Sequence, residues 1–167
     1  MDVVDKIQFY YVAPDYIAYL KTVDARVPDV VYPGRHKKML CGAVLQVNGI
    51  SYYAPLSHNT SPSSTNFIIK NSKGKPVASL RLQYMVPVPQ NVLSALDIPR
   101  LIKQDVKYGR LVLEEYQYCA NNLDKLLRKA NRVYLISQTP NHFLYGHHCN
   151  FAALEAAMLK YQNGKQP

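Results

Sequence analysis

Asn48-Gly49 stands between two β-rich runs, residues 39–47 and 50–55, and restricts the fold more than any other short stretch of the chain. A two-residue type I′ turn needs positive φ at both central residues, which Asn and Gly tolerate best. The runs are therefore predicted to fold back on each other as an antiparallel hairpin. A two-residue turn also sets the register, so Lys38 should lie opposite Asn59 and Met39 opposite His58. Residues 66–70 and 77–82, joined by Asn71-Ser72-Lys73-Gly74-Lys75, predict a second hairpin. An earlier β-rich run covers residues 7–12, and Asp15 is placed to N-cap a helix reaching about Asp24. Tyr84-Met85-Val86 prolongs the last apolar run until Pro87 and Pro89 end it, because proline cannot donate to a sheet ladder.

Beyond Pro89 the apolar spacing changes from strand-like to helical. Residues 92–98 read as a short helix ended by Pro99. Residues 111–137 read as one long helix, with Tyr116, Cys119, Leu123, Leu126, Ala130 and Val133 at steps of three and four. Lys125, Arg128 and Lys129 fall off that stripe, as a solvated face would. A last helix runs from Asn150, as N-cap, to a stop signal at Gly164. The fold class expected is α+β: a small, strongly bent antiparallel sheet or partly open barrel, flanked by helices that include a long one in the C-terminal half. No repeat, low-complexity tract or linker divides the chain, so residues 1–167 are expected to form a single domain.

Charge narrows the partners. Twenty Lys and Arg against eleven Asp and Glu give +9, a field that attracts polyanions. No apolar run approaches the ~20 residues that span a bilayer, so nucleic acid is a better partner than a membrane. The acidic start, Met1-Asp2-Val3-Val4-Asp5, does not resemble a signal peptide, and the cytoplasm is the expected location. Cys41, Cys119 and Cys149 form no CxxC pair, so they are expected to be packing residues and not metal ligands or disulfides. His147-His148-Cys149 is a poor metal candidate, because adjacent ligands point in different directions. No metal or other cofactor is expected. Dinucleotide, P-loop and GxSxG motifs are absent, and Glu114-Glu115, adjacent on a helix, cannot face one substrate as a pair.

The best candidate for chemistry is Tyr32-Pro33-Gly34-Arg35-His36-Lys37-Lys38 together with Ser57-His58, which the hairpin brings to the same end. An aromatic ahead of clustered cations suits a stacked base and a phosphate. Ribonucleases that need no metal drive the ribose 2′-hydroxyl onto the neighbouring phosphate. Such a site needs a base or acid, which histidine provides, and cations to hold the extra negative charge. Lys38, Ser57 and His58 are therefore the catalytic candidates. Arg35, His36, Lys37, Lys70, Lys73, Lys75 and Arg81 are the candidate RNA contacts. The alternative is a non-catalytic RNA-binding module using the same residues.

Four stretches carry a resemblance to a known family. They are Lys38-Met39-Leu40-Cys41-Gly42-Ala43-Val44-Leu45, Tyr53-Ala54-Pro55-Leu56-Ser57, Leu82-Gln83-Tyr84-Met85-Val86-Pro87-Val88, and Cys149-Asn150-Phe151 with Leu154-Glu155. In order and spacing they resemble the ToxN/AbiQ family of bacterial type III toxins. The resemblance implies an endoribonuclease on a bent barrel distantly like that of the MazF and Kid toxins, acting in maintenance and phage defence. It further implies metal-free cutting of A-rich single-stranded mRNA, leaving a 2′,3′-cyclic phosphate and a 5′-hydroxyl. Inhibition would come from a structured, repeat-derived RNA antitoxin that the toxin itself processes and keeps in a closed RNA–protein assembly. Self-association, through the RNA or directly, stays open. Lys38 matches the family's active-site lysine, Ser57 the Ser/Thr after Ala-Pro-Leu, and Tyr32 the upstream tyrosine, a match that adds Tyr32 to the catalytic candidates. Some relatives carry a second lysine soon after the Ser/Thr; here no lysine occurs between Lys38 and Lys70, and His58 is its natural substitute.

Overall fold

The computed structural model describes residues 7–31 and 36–164. Strand β1 (Gln8–Val12) leads into helix α1 (Pro14–Val23), and after a long connection come β2 (Leu40–Val47) and β3 (Ile50–Ser57). Strands β4 (Asn66–Lys70), β5 (Pro76–Arg81), β6 (Val86–Pro87) and β7 (Leu93–Ala95) complete the β half. Helices α2 (Ile98–Gln104), α3 (Val106–Asn121), α4 (Leu123–Ser137) and α5 (Phe151–Gly164) follow. The strands form one open antiparallel sheet in the order β4-β5-β3-β2-β1-β7, with β6 on β3. The expected α+β architecture, a small antiparallel sheet with flanking helices, is the one observed.

Both hairpins form where the turn residues predict them. Asn48 and Gly49 have φ of 52° and 78°, the values such a turn requires. At the second turn the Asn71 side chain accepts from the backbone N–H groups of Lys73 and Lys75, each at 3.0 Å, and Gly74 takes φ 77°. Strand β3 turns the sheet: Tyr52 and Tyr53 pair with β6, whereas Leu56 and Ser57 pair with Leu80 and Ser79 of β5.

The register at the far end of the first hairpin differs from the expected one by two residues. Gly42 pairs with Tyr53, but the next pair is Leu45 with Tyr52, so Ala43 and Val44 are extra residues on β2. Val44 and Leu45, consecutive at this bulge, are both buried. Gly42 lies under the Tyr53 ring so closely that a Cβ would stand 2.1 Å from it. Past the bulge Leu40 pairs with Pro55, and Met39 O accepts from Leu56 N at 3.0 Å. Lys38 therefore comes opposite Ser57, not Asn59.

Three other expectations change. Residues 92–98 are not a helix: Leu93–Ala95 is a strand against β1. Pro99 opens α2 instead of closing a helix, since the first helical turn does not need its missing N–H, and Asp97 caps Arg100 N at 3.0 Å. The expected long helix is two helices, broken at Asn122, whose side chain donates to Tyr118 O at 2.9 Å and so caps the end of α3. Asp15 sits in the first turn of α1 instead of capping it, because the helix already begins at Pro14.

The core gathers apolar side chains from both halves. α1 packs on α5, α4 on β2 and α3 on β4. Asn150 caps α5 as expected, accepting from Ala153 N at 3.1 Å. Glu155 accepts hydrogen bonds from Tyr52 and from Tyr134, the latter at 2.9 Å, so the C-terminal motif ties α5 to β3 and α4. The three cysteines are free and buried.

Candidate active site

The site grows from the strand register. Lys38 N donates to Val30 O at 2.9 Å, which fixes the approach to β2, and the continuing β2–β3 ladder sets Lys38 beside Ser57. Ser57 pairs with Ser79 of β5, and Arg81 lies two residues further along β5, on the same face as Ser79. Four of the expected residues, Lys38, Ser57, His58 and Arg81, thus meet at one end of β3.

Their electrostatics are those of a site built for an anion. Burial lowers the pKa of the half-buried Lys38 ammonium, nearby Arg81 lowers it further, and Asp29 partly offsets both. Two cations held together this way are stabilised by an arriving phosphate. The Arg81 guanidinium lies 4.8 Å from the centre of the Tyr84 ring. The Ser57 hydroxyl oxygen accepts from Asn59 N at 3.2 Å, and Ser79 donates to Asn59 O at 2.6 Å, so both serines brace the turn that carries His58.

His58 is the exposed member, yet its Nε2 lies 3.7 Å from Oε1 of a fully buried carboxylate, Glu115 of α3. Glu115 raises the His58 pKa above its usual 6.5, while burial and the Lys38 charge oppose it. Because the folded value is raised, the pair's contribution to stability is complete below 6.5 and is lost as pH rises through that folded value. Sequence reasoning missed Glu115. The available signal was its place on the apolar stripe of α3, three residues after Val112 and four before Cys119, both buried.

The remaining candidates lie elsewhere. Tyr32 and Arg35 are outside the described residues. His36 stacks on Tyr108 of α3, with ring centres 3.6 Å apart, and its Nε2 is 3.9 Å from Asp105. Lys37 sits over the Tyr11 ring at 6.0 Å. Beside Lys37 and Lys38 opens a cleft of about 120 Å³, whose walls include Tyr11, Val31 and Ser94. Lys70, Lys73 and Lys75 are exposed around the tip of the β4–β5 hairpin. At ~3.3 Å per residue, Lys75 is about 13 Å along β5 from Ser79. His148 spends both ring nitrogens locally: Nδ1 lies 2.7 Å from Cys149 O, and Nε2 accepts from Gly146 N at 3.2 Å. Among the described residues no three His, Cys, Asp or Glu side chains are grouped to hold a metal ion, and no helix is long and apolar enough to cross a membrane.

Fold and charge together define a small basic α+β protein in which two cations, Lys38 and Arg81, and one histidine gather at a sheet end. The sequence model of the ToxN toxin of type III toxin–antitoxin systems matches residues 8–159, and the chain belongs to that family. It is similar to the endoribonuclease ToxN of Bacillus thuringiensis subsp. kurstaki, 29% identical over 97% of this chain and 88% of the relative. It is also similar to the endoribonuclease ToxN of Pectobacterium atrosepticum, 29% identical over 89% of this chain and 90% of the relative. Among solved structures it matches, with a TM-score of 0.87 and 26% identity over 95% of this chain and 99% of the other, a type III toxin selectively inhibited by a non-coding RNA pseudoknot.

Proposed function

We propose that this chain is a metal-independent endoribonuclease toxin, acting in the cytoplasm on single-stranded mRNA and on the precursor of its own RNA antitoxin. The observation that carries the reading is the convergence of Lys38, Ser57, His58 and Arg81 at the end of β3. The scissile phosphate sits against Lys38 and Arg81, which take up the charge that builds on its non-bridging oxygens. Ser57, whose oxygen is already held by Asn59 N, donates its own hydrogen to one of those oxygens. The ribose 2′-oxygen attacks phosphorus, and the 5′-oxygen leaves with a proton from the site. The products are a 2′,3′-cyclic phosphate and a 5′-hydroxyl. A base flanking the phosphate fits the cleft beside Lys38, against Tyr11. A structured, repeat-derived RNA bound over this surface, in a closed RNA–protein assembly, holds the toxin inactive. That step rests on the relative inhibited by an RNA pseudoknot.

The test is cleavage of a labelled A-rich RNA by the purified protein in excess EDTA. Cutting by wild type, with a rate reduced ~10²–10⁴-fold in His58→Ala, is the expected result. Unimpaired RNA affinity without cutting by wild type would leave only a binding module.

The hairpin-tip lysines have a separate role, that of phosphate contacts away from the reacting atoms. Replacing Lys73 and Lys75 together by Ala should lower the salt dependence of RNA affinity by about one unit of slope per lysine, read from binding isotherms over a salt series. Turnover of a short substrate that does not reach the tip should stay unchanged.

A further inference from the structure

Glu115 has 0% exposure, and among the described residues neither carboxylate oxygen has a hydrogen-bond partner. A buried carboxylate in that condition is strongly disfavoured unless a cation stands within reach. The histidine ring at 3.7 Å is such a cation when protonated. We propose that Glu115 is the positioning residue of the site: through Nε2 it orients His58 and holds the ring as an imidazolium, which makes His58 the general acid that protonates the leaving 5′-oxygen from Nδ1. This rests on the endoribonuclease reading above.

The surroundings of the pair favour acid over base. From α3 come Glu115 and, two helical turns earlier, Tyr108, whose hydroxyl pKa is pushed up to about 12 by burial first and by the charges near it, Glu115 among them. From the segment before β2 comes Lys38, which opposes protonation of His58, with Arg81 of β5 behind it. Glu115 prevails, since the His58 pKa is raised on balance. A base must be neutral before the reaction; a buried carboxylate 3.7 Å from Nε2 favours the charged ring. The step then balances. The 2′-oxygen bonds to phosphorus and releases its proton to water. The bond from phosphorus to the 5′-oxygen breaks, and the electron pair stays on that oxygen. The 5′-oxygen takes the Nδ1 proton and leaves a neutral imidazole, its Nε2–H still toward Glu115, which water reprotonates.

The experiment uses the full-length toxin freed of antitoxin, as wild type, Glu115→Gln, His58→Ala and the double variant. The His58 ring is followed by NMR through a pH titration, and cleavage of a labelled RNA is followed from pH 5 to 9. In Glu115→Gln, His58 should titrate at lower pH than in wild type, and the alkaline limb of kcat should move the same way. At pH 8 kcat should fall about tenfold or more, the lower end of what losing an orienting carboxylate costs, with KM within about twofold. In the His58→Ala background Glu115→Gln should cost little more. An unchanged His58 titration, or a Glu115→Gln loss that persists in full without His58, overturns the proposal and leaves Glu115 a packing residue. If wild type cuts no RNA, the enzyme reading fails, and the titration alone still decides whether the pair exists. Should Glu115→Gln not fold, Glu115→Asp, which withdraws the carboxylate, should move the titration in the same direction by less.

Discussion

Lys38→Ala should lower the single-turnover cleavage rate by about 10²–10³-fold while RNA affinity falls only several-fold. That magnitude is typical for removing one preorganised group that faces developing charge. The asymmetry follows from where the charge appears: the phosphate already carries one negative charge in the ground state, and the second builds up only on the way to the pentacovalent state. On the proposed reading Arg81 should still hold the ground-state phosphate, and the exposed hairpin-tip lysines the RNA's more distant ones. Stability should move little, and upward if at all. The Lys38 pKa is lowered in the fold, so its charged form is disfavoured there by burial and by Arg81, and deleting the charge removes that cost. A thermal melt and a filter-binding titration beside the rate measurement check all three parts. Equal losses of binding and cleavage would reduce Lys38 to an ordinary phosphate contact.

Gly42→Ala should be among the most damaging substitutions of one small residue for another in this chain. Its Cβ would meet the Tyr53 ring at 2.1 Å, and Tyr53, only 4% exposed and packed edge-on against Tyr10 at 5.4 Å, has no room to swing aside. Overpacking of this kind costs typically 1–3 kcal/mol and occasionally more. Denaturant unfolding should show that loss in the midpoint. Tyr53→Leu in the same chain should restore part of it by removing the ring that the new methyl strikes. Activity should fall beyond what instability explains, because Gly42 borders the bulge that sets Lys38 opposite Ser57. A folded Gly42→Ala protein with normal cleavage would show that the bulge is not needed for the site.

The legible parts of this protein were those governed by neighbours in sequence. Asn48-Gly49 imposes a hairpin, Asn71 to Lys75 imposes another, and Asn150 caps α5, since a turn or a cap depends on a few adjacent residues. The cationic balance pointed to a polyanion, and Lys38, Ser57 and His58 stood out as residue types suited to phosphate chemistry. Local signals also misled where they had two meanings. Pro99 reads equally as the end of one helix or the beginning of the next, and only the Asp97 cap selects the second. Residues 111–137 keep a helical period through Asn122, whose side chain nonetheless ends α3.

By itself the sequence determined the two hairpins, the α+β division, the charge and the residue types of the site, because each follows from short-range backbone preference or from composition. The tertiary structure alone decided which of those residues meet. The bulge at Ala43-Val44, in the strand that α4 packs on, moves Lys38 from opposite Asn59 to opposite Ser57. Glu115 looked like one half of an unpaired acidic doublet. It becomes the partner of His58 only because α3 turns its apolar stripe toward the sheet, which buries the carboxylate 3.7 Å from the exposed His58 ring.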